Sequence, residues 1–223
     1  MHETTIYFGP PGTGKTATLL TRVKEEISRG TRPDRIAFVA FSRRAAREAR
    51  TRGAAELGLD DSALGAWRTL HSTAARALGA GDRLMERDDW IRFGDQLGLE
   101  LGELDEAGRP TSFRRDAGHR IQSAYYLRRA LRRPLELEPL ILELGESEGL
   151  LVERFARALD TYKKSRGVWD YADLIDEAPA PTNLDVVMID EAQDLTPAQW
   201  EYARRMVAGV KRVYVAGDDD QAI

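Results

Sequence analysis

The sequence predicts an α/β fold, a parallel sheet with helical crossovers that is interrupted by an inserted, mainly helical subdomain. Three observations predict it. Short β-branched or apolar runs alternate with helical stretches at the start of the chain, the same alternation returns near its end, and no convincing strand pattern lies between about residues 80 and 167.

The elements follow in order. TTIYFG, from Thr4 to Gly9, is β-branched and aromatic, ends in glycine, and reads as a short buried strand. After GPPGTGKT a helix is expected from about Thr16 to Arg29. RIAFVAF, Arg35 to Phe41, is a second apolar run of strand length, and the Ala- and Arg-rich stretch Arg43 to Leu57 reads as a helix. Late in the chain DVVMI, Asp185 to Ile189, is a buried strand. Thr196 and Pro197 open a helix running to Val207, and RVYVA, Arg212 to Ala216, is a further strand. Strand, helix, strand in succession signals parallel pairing, because parallel neighbours need a crossover. In the middle, helical periodicity marks Asp88 to Leu97, Ser123 to Leu131 and Glu148 to Ser165, separated by loops such as GELDEAGRPTS.

With 223 residues and 42% hydrophobic content, the chain can bury one large core or two small ones. It has no run of eighteen apolar residues, and its N-terminus lacks the basic-then-apolar pattern of a secretory signal, so no membrane partner is expected. The absence of cysteine excludes disulfides and cysteine metal sites and agrees with a cytoplasmic location. A net charge of −4 argues against a chain that coats DNA over its whole surface, and leaves room for local basic clusters.

Gly9, Pro10, Pro11, Gly12, Thr13, Gly14, Lys15 and Thr16 match G-x-x-x-x-G-K-[ST] in full, between a strand and a helix. The glycines let backbone N–H groups turn inward around phosphate oxygens, and the helix N-terminus adds positive potential. Lys15 supplies a point charge to the β- and γ-phosphates, and the Thr16 hydroxyl can ligate Mg²⁺. The plain alternative is a glycine-rich turn without a ligand.

Such a loop needs a carboxylate for the metal and a group that activates water. VVMIDEAQD offers both: Asp190 and Glu191 emerge at the C-terminal end of a buried strand, where open α/β sheets bind ligands. Asp190 is the candidate Mg²⁺ ligand and Glu191 the candidate general base. The alternative is an acidic loop that caps the next helix.

DEAQD at 190–194 and GDDDQAI at 217–223 resemble motifs II and III of the UvrD/Rep/PcrA-like superfamily 1A DNA helicases. AFSRRAAREAR at 40–50 is similar to the family's motif Ia, TLHSTAARAL at 69–78 to motif Ib, and WDYADLI at 169–175 to the short D-[FY]-x-D-L-[IL] element before motif II. The resemblance implies a RecA-like P-loop NTPase domain, 1A, from residues 1–79 and 168–223, with 80–167 as a helical insertion like subdomain 1B. It implies an ATP-dependent DNA helicase that uses ATP and Mg²⁺ and moves on single-stranded DNA toward a duplex junction, with a second RecA-like domain C-terminal to Ile223. Two alternatives stand beside it: the helicase portion of a helicase–nuclease, and a nucleotide-gated DNA-binding module without unwinding activity.

The resemblance also implies residue roles. Gln193 and Gln221 would sense the γ-phosphate, Gln221 joining Lys15 and Glu191 in catalysis, and Asp218 would support the metal or water network. Phe41, Ser42, Arg43, Thr69 and His71 would line the DNA track. Phe41 reads equally as a core residue closing its strand, and His71 as a helix-start residue satisfied by backbone. Ser42-Arg43-Arg44 stands where the family usually has Thr-Asn-Lys, and none of the eight residues before Gly9 is the glutamine with which the family reads adenine, so weak discrimination among purines is expected.

Arg114, Arg115, Arg120, Arg128, Arg129, Arg132 and Arg133 crowd one stretch around Tyr125 and Tyr126, with Asp116 opposing them. They can hold nucleic-acid phosphates or pair with nearby carboxylates, and the sequence leaves both open. Trp67, Trp90, Trp169 and Trp200 read as packing residues.

Overall fold

The computed structural model describes residues 2–105 and 116–218. Its sheet has five strands in the order β1-β5-β4-β2-β3: β1 (Glu3–Phe8), β2 (Ile36–Ala40), β3 (Trp67–Thr69), β4 (Val186–Ile189) and β5 (Arg212–Gly217). Every pairing is parallel. Nine α-helices are formed among the described residues: α1 (Lys15–Ser28), α2 (Arg43–Leu57), α3 (Leu70–Leu78), α4 (Arg87–Leu97), α5 (Ala117–Ala130), α6 (Leu137–Leu144), α7 (Glu146–Arg166), α8 (Tyr171–Glu177) and α9 (Pro197–Val207). None of them is long and apolar enough to cross a membrane.

β2 and β4 are apolar on both faces and wholly buried, as central parallel strands must be. β1 corrects an expectation. It forms where TTIYF predicted a strand, but it is not buried. Among the described residues it pairs with β5 alone and leaves Ile6 51% and Phe8 66% exposed. Composition identifies a strand; its place at the edge of the sheet decides its burial.

The chain divides into two compact units. The first holds residues 1–77, 179–195 and 199–223, and the second residues 78–178 and 196–198. In the α/β unit, Leu19, Leu20 and Val23 of α1 meet Ile36, Phe38, Val186 and Met188 of the sheet. The rings of Phe38 and Trp67 stack at 5.0 Å. α2 meets this core with small residues, Ala46, Ala49 and Gly53, and the indole fits against Gly53 so closely that a Cβ there would sit 2.4 Å from the ring. Glu26, fully buried on α1, ties that helix to β5 by accepting hydrogen bonds from Arg212 at 2.7 and 2.5 Å and from the Tyr214 hydroxyl at 2.8 Å. Burial opposes its ionisation, yet these donors and Thr31 outweigh it and hold its carboxyl below the usual glutamate range.

The helical unit has a core of its own, in which Phe93 of α4, Tyr125 of α5 and Phe155 of α7 meet at 5.4 Å ring separations. Among its described residues no strand is assigned. α6 and α8 are additions to the sequence reading: both are under nine residues, too short to display a clear period. The D-[FY]-x-D-L element packs within this unit for an electrostatic reason. Asp170 begins α8 with a capping box shared with Asp173, and its fully buried carboxylate accepts from Lys163 at 2.7 Å and from Tyr126 at 2.9 Å. Burial alone would raise the pKa of Asp170, but Lys163 and Arg129 beside it hold the carboxyl below its ordinary value.

Candidate nucleotide site

The phosphate loop leaves the C-terminal end of β1, where the Gly9 amide donates to the Gly217 carbonyl at the end of β5. Gly12 and Gly14 take φ of +84° and +81°, a region glycine enters without penalty, and Gly14 is the N-cap of α1. Gly14 has no side chain to cap that helix, and among the described residues no side-chain cap forms there, which leaves its first amides to an anion. Thr13 closes the loop by donating 2.8 Å to the Pro10 carbonyl. Lys15 is 8% exposed and folds back on its own loop, its Nζ donating 2.6 Å to the Gly9 carbonyl and 3.3 Å to that of Pro10. These weak acceptors stand where phosphate oxygens would compete for the ammonium.

The acidic residues reach this loop from β4. The Asp190 amide donates to the Val39 carbonyl on β2 at 2.9 Å, which extends the parallel pairing by a residue and fixes the carboxylate's origin. The Thr16 hydroxyl donates to Asp190 Oδ2 at 2.7 Å, and Asp190 Oδ1 accepts the Glu191 amide at 3.1 Å. Burial pushes the Asp190 carboxyl up, as does the Glu191 charge, while the Thr16 hydrogen bond pulls it down. Glu191 sits in the left-handed region at φ +52°, a conformation that costs a non-glycine residue about 1–3 kcal/mol. Its carboxylate accepts from Gln193 Nε2 at 2.6 Å, and Gln193 Oε1 accepts the Asp218 amide at 3.0 Å. Gln193 thus links Glu191 to the residue that follows β5, and Asp218 itself is buried.

The donor set suits a hard cation. Among the described residues no cluster of three or more carboxylate or imidazole side chains could hold a metal by itself. Thr16 and Asp190 instead offer one hydroxyl and one carboxylate beside the phosphate loop, the sparse oxygen set typical of Mg²⁺ carried in with phosphates.

Gln221 lies outside the described residues, as do Arg114 and Arg115. Phe41, Ser42 and Arg43 follow β2 on the same edge of the sheet as the phosphate loop. Phe41 and Ser42 are half-buried and Arg43 is exposed, and Ser42 caps α2 by accepting the Ala45 amide at 3.2 Å. Thr69 and His71 are buried, and Thr69 Oγ1 accepts the Ser72 amide at 3.2 Å.

The arginine cluster of the helical unit is engaged in pairing. Arg128 and Arg133 donate to Glu143 at 2.5 and 3.2 Å, Arg129 bridges Asp173 and Asp176, and Arg132 meets Asp176. Tyr125 and Tyr126 are buried, so they present no face to a base. Trp67 and Trp90 are core residues, while Trp169 and Trp200 are half-buried. Sequence reasoning singled out WDYADLI without giving its aspartates a role. The signal was present as acids three residues apart at a helix start, the spacing of a capping box.

Comparison with known proteins places this geometry in a family. Residues 2–223 match the model of the UvrD/REP helicase N-terminal domain. The chain is also 33% identical over 87 residues to a protein named RecBCD enzyme subunit RecB from Mycolicibacterium smegmatis. That match covers 31% of this chain and 8% of the relative, so the aligned part is a small share of the relative's length. The all-parallel sheet, the phosphate loop after its first strand and the acidic pair after its fourth are consistent with a RecA-like domain, and the match over nearly the whole sequence shows that this chain belongs to the UvrD/REP helicase family, in its N-terminal domain.

Proposed function

We propose that the chain is the ATP-binding portion of a DNA translocase, in which residues 1–79 and 168–223 act as domain 1A and 80–167 as a 1B-like insertion, and a second RecA-like domain C-terminal to Ile223 completes the cleft. The observation that carries this reading is the 2.7 Å hydrogen bond from Thr16 to Asp190, which joins the phosphate loop to the acidic strand end.

The chemistry follows from the residues. Lys15 exchanges the Gly9 and Pro10 carbonyls for the β- and γ-phosphates of ATP, and the amides of residues 12–16 surround the phosphate oxygens. Thr16 and Asp190 would hold Mg²⁺, which would supply positive charge against the charge that develops on the phosphate oxygens. Glu191 takes the proton of the attacking water as its oxygen bonds to the γ-phosphorus and the bond to the β,γ-bridging oxygen breaks. Gln193, bonded to both Glu191 and the Asp218 amide, transmits the state of the γ-phosphate to the end of β5, and Gln221 beyond it assists. Phe41, Ser42 and Arg43 take single-stranded DNA by stacking and phosphate contacts, while Thr69 and His71, being buried, shape the backbone beside the track.

ATP hydrolysis and strand unwinding, measured with and without oligo(dT) on this chain and on its longest available form, test the reading. Hydrolysis that rises with DNA and vanishes in Lys15→Ala supports a translocase. Nucleotide-dependent DNA binding without unwinding in any form overturns it in favour of a gated binding module. The partial match to a subunit of a RecBCD enzyme favours one variant of the same reading, the helicase portion of a helicase–nuclease. DNA cleavage by the longest form distinguishes that variant.

A further inference from the structure

The parallel sheet has two edges, and the phosphate loop uses the C-terminal one. At the opposite edge of the α/β unit, where β2, β3 and β4 begin, lies a cavity of about 580 Å³. Arg68 of β3 and Arg76 of α3 line it, together with Ser62 and the segment 179–184, which contributes Thr182 and Asn183.

The two arginines are short of acceptors. Among the described residues Arg68 donates one bond, from Nη2 to the Gly65 carbonyl, and its shielded Nε has no hydrogen-bond partner. A shielded donor without an acceptor costs about 1–3 kcal/mol. Burial first, and then the like charges of Arg76 and Arg50, lower the proton affinity of the Arg68 guanidinium. Arg50 is answered by Asp61, whose carbonyl and carboxylate both accept from it. Arg76 is exposed and makes no hydrogen bond or ion pair with the described residues. Asp34 also lines the cavity, but its carboxylate accepts two bonds from Arg32, at 3.0 and 2.6 Å. Two guanidiniums therefore face one cavity with no carboxylate committed to either, flanked by the short neutral donors of Ser62, Thr182 and Asn183.

We propose that this cavity is a second anion site, taking a phosphate group on Arg68 and Arg76. A phosphate satisfies forked donors bidentately and relieves the repulsion between the two cations. Its tetrahedral oxygens suit donors that converge from a strand, a helix and a loop. The group comes either as free inorganic phosphate or pyrophosphate, or as part of a nucleic-acid chain. The site is independent of the phosphate loop and stands whether or not the chain hydrolyses ATP.

The test is calorimetric binding of inorganic phosphate and pyrophosphate to the Lys15→Ala protein, which silences the phosphate loop, with Arg68→Gln or Arg76→Gln added in turn. Binding by Lys15→Ala that weakens at least tenfold with either arginine change is the expected result. Displacement of phosphate from this site by oligo(dT) identifies a nucleic-acid phosphate as the ligand, and its absence identifies the free ion. Phosphate affinity that is undetectable in Lys15→Ala, or unaltered by both arginine changes, overturns the proposal. Arg76→Gln, on an exposed side chain, keeps the test valid if Arg68→Gln fails to fold, and Mg-ATP binding by each single arginine variant confirms that the α/β unit is intact.

Discussion

The Thr16 hydroxyl donates a 2.7 Å hydrogen bond to Asp190 Oδ2 across 174 residues of sequence. The bond brings the two candidate Mg²⁺ ligands together and joins the first turn of α1 to the end of β4. The helical insertion lies between the two in sequence, and the pairing of β4 with β2 and β5 sets Asp190 at the strand end.

That coupling predicts non-additive behaviour. Thr16→Ala and Asp190→Asn should each reduce the Mg²⁺ dependence of nucleotide affinity by about tenfold, and the double variant should lose little more, as for residues that share one ligand. Losses that multiply in full would show that the two side chains act on different partners.

Glu191→Gln should leave ATP and Mg²⁺ affinity close to the parent value and slow hydrolysis by at least ~10²-fold, the scale of a lost general base. The amide is nearly isosteric, so the left-handed backbone at Glu191 is kept. Single-turnover hydrolysis measures the effect. A normal rate would move the role of base to another group.

Gly53→Ala places a methyl where the Trp67 ring already stands, 2.4 Å from a ring carbon. The variant should lose about 1–3 kcal/mol of stability by overpacking, despite the better helix propensity of alanine. Urea unfolding followed by tryptophan fluorescence reads it. An increase in stability would mean that α2 can move away from the sheet without cost.

Glu26 gives a pH dependence with a definite sign. Its folded value is depressed, so its contribution is fully present above the unfolded value of about 4.3 and is lost as pH falls through the folded value. Glu26→Gln should therefore destabilise the protein at pH 7, and its deficit against the parent should shrink by pH 3. A deficit that stays constant over that range would place the role of Glu26 in packing.

The fold was legible wherever a local pattern carried its own period. α2 and α9 begin and end where the sequence placed them, because Ser42 caps the first and Thr196-Pro197 opens the second. β3 escaped notice because three residues cannot show alternation. The exposure of β1 was illegible because the place of a strand in the sheet is set by partners far along the chain, not by its own composition. At the candidate site the residue types pointed to the chemistry, but the link from Gln193 to both Glu191 and the Asp218 amide depends on a backbone turn at Glu191 that no motif spells out. The arginine cluster shows the reverse limit. A run of like charges reads as a surface, whereas the acids that engage it, Glu143, Asp173 and Asp176, approach from other helices.

The central claim, that Lys15, Thr16 and Asp190 form a Mg²⁺-dependent nucleotide site, is tested most directly by equilibrium binding of a fluorescent ATP analogue to this chain and to Lys15→Ala, with and without Mg²⁺. The expected result is binding that Mg²⁺ strengthens and that Lys15→Ala weakens at least tenfold with unchanged circular dichroism. Equal affinity of the two proteins, in the presence and the absence of Mg²⁺ alike, would contradict it.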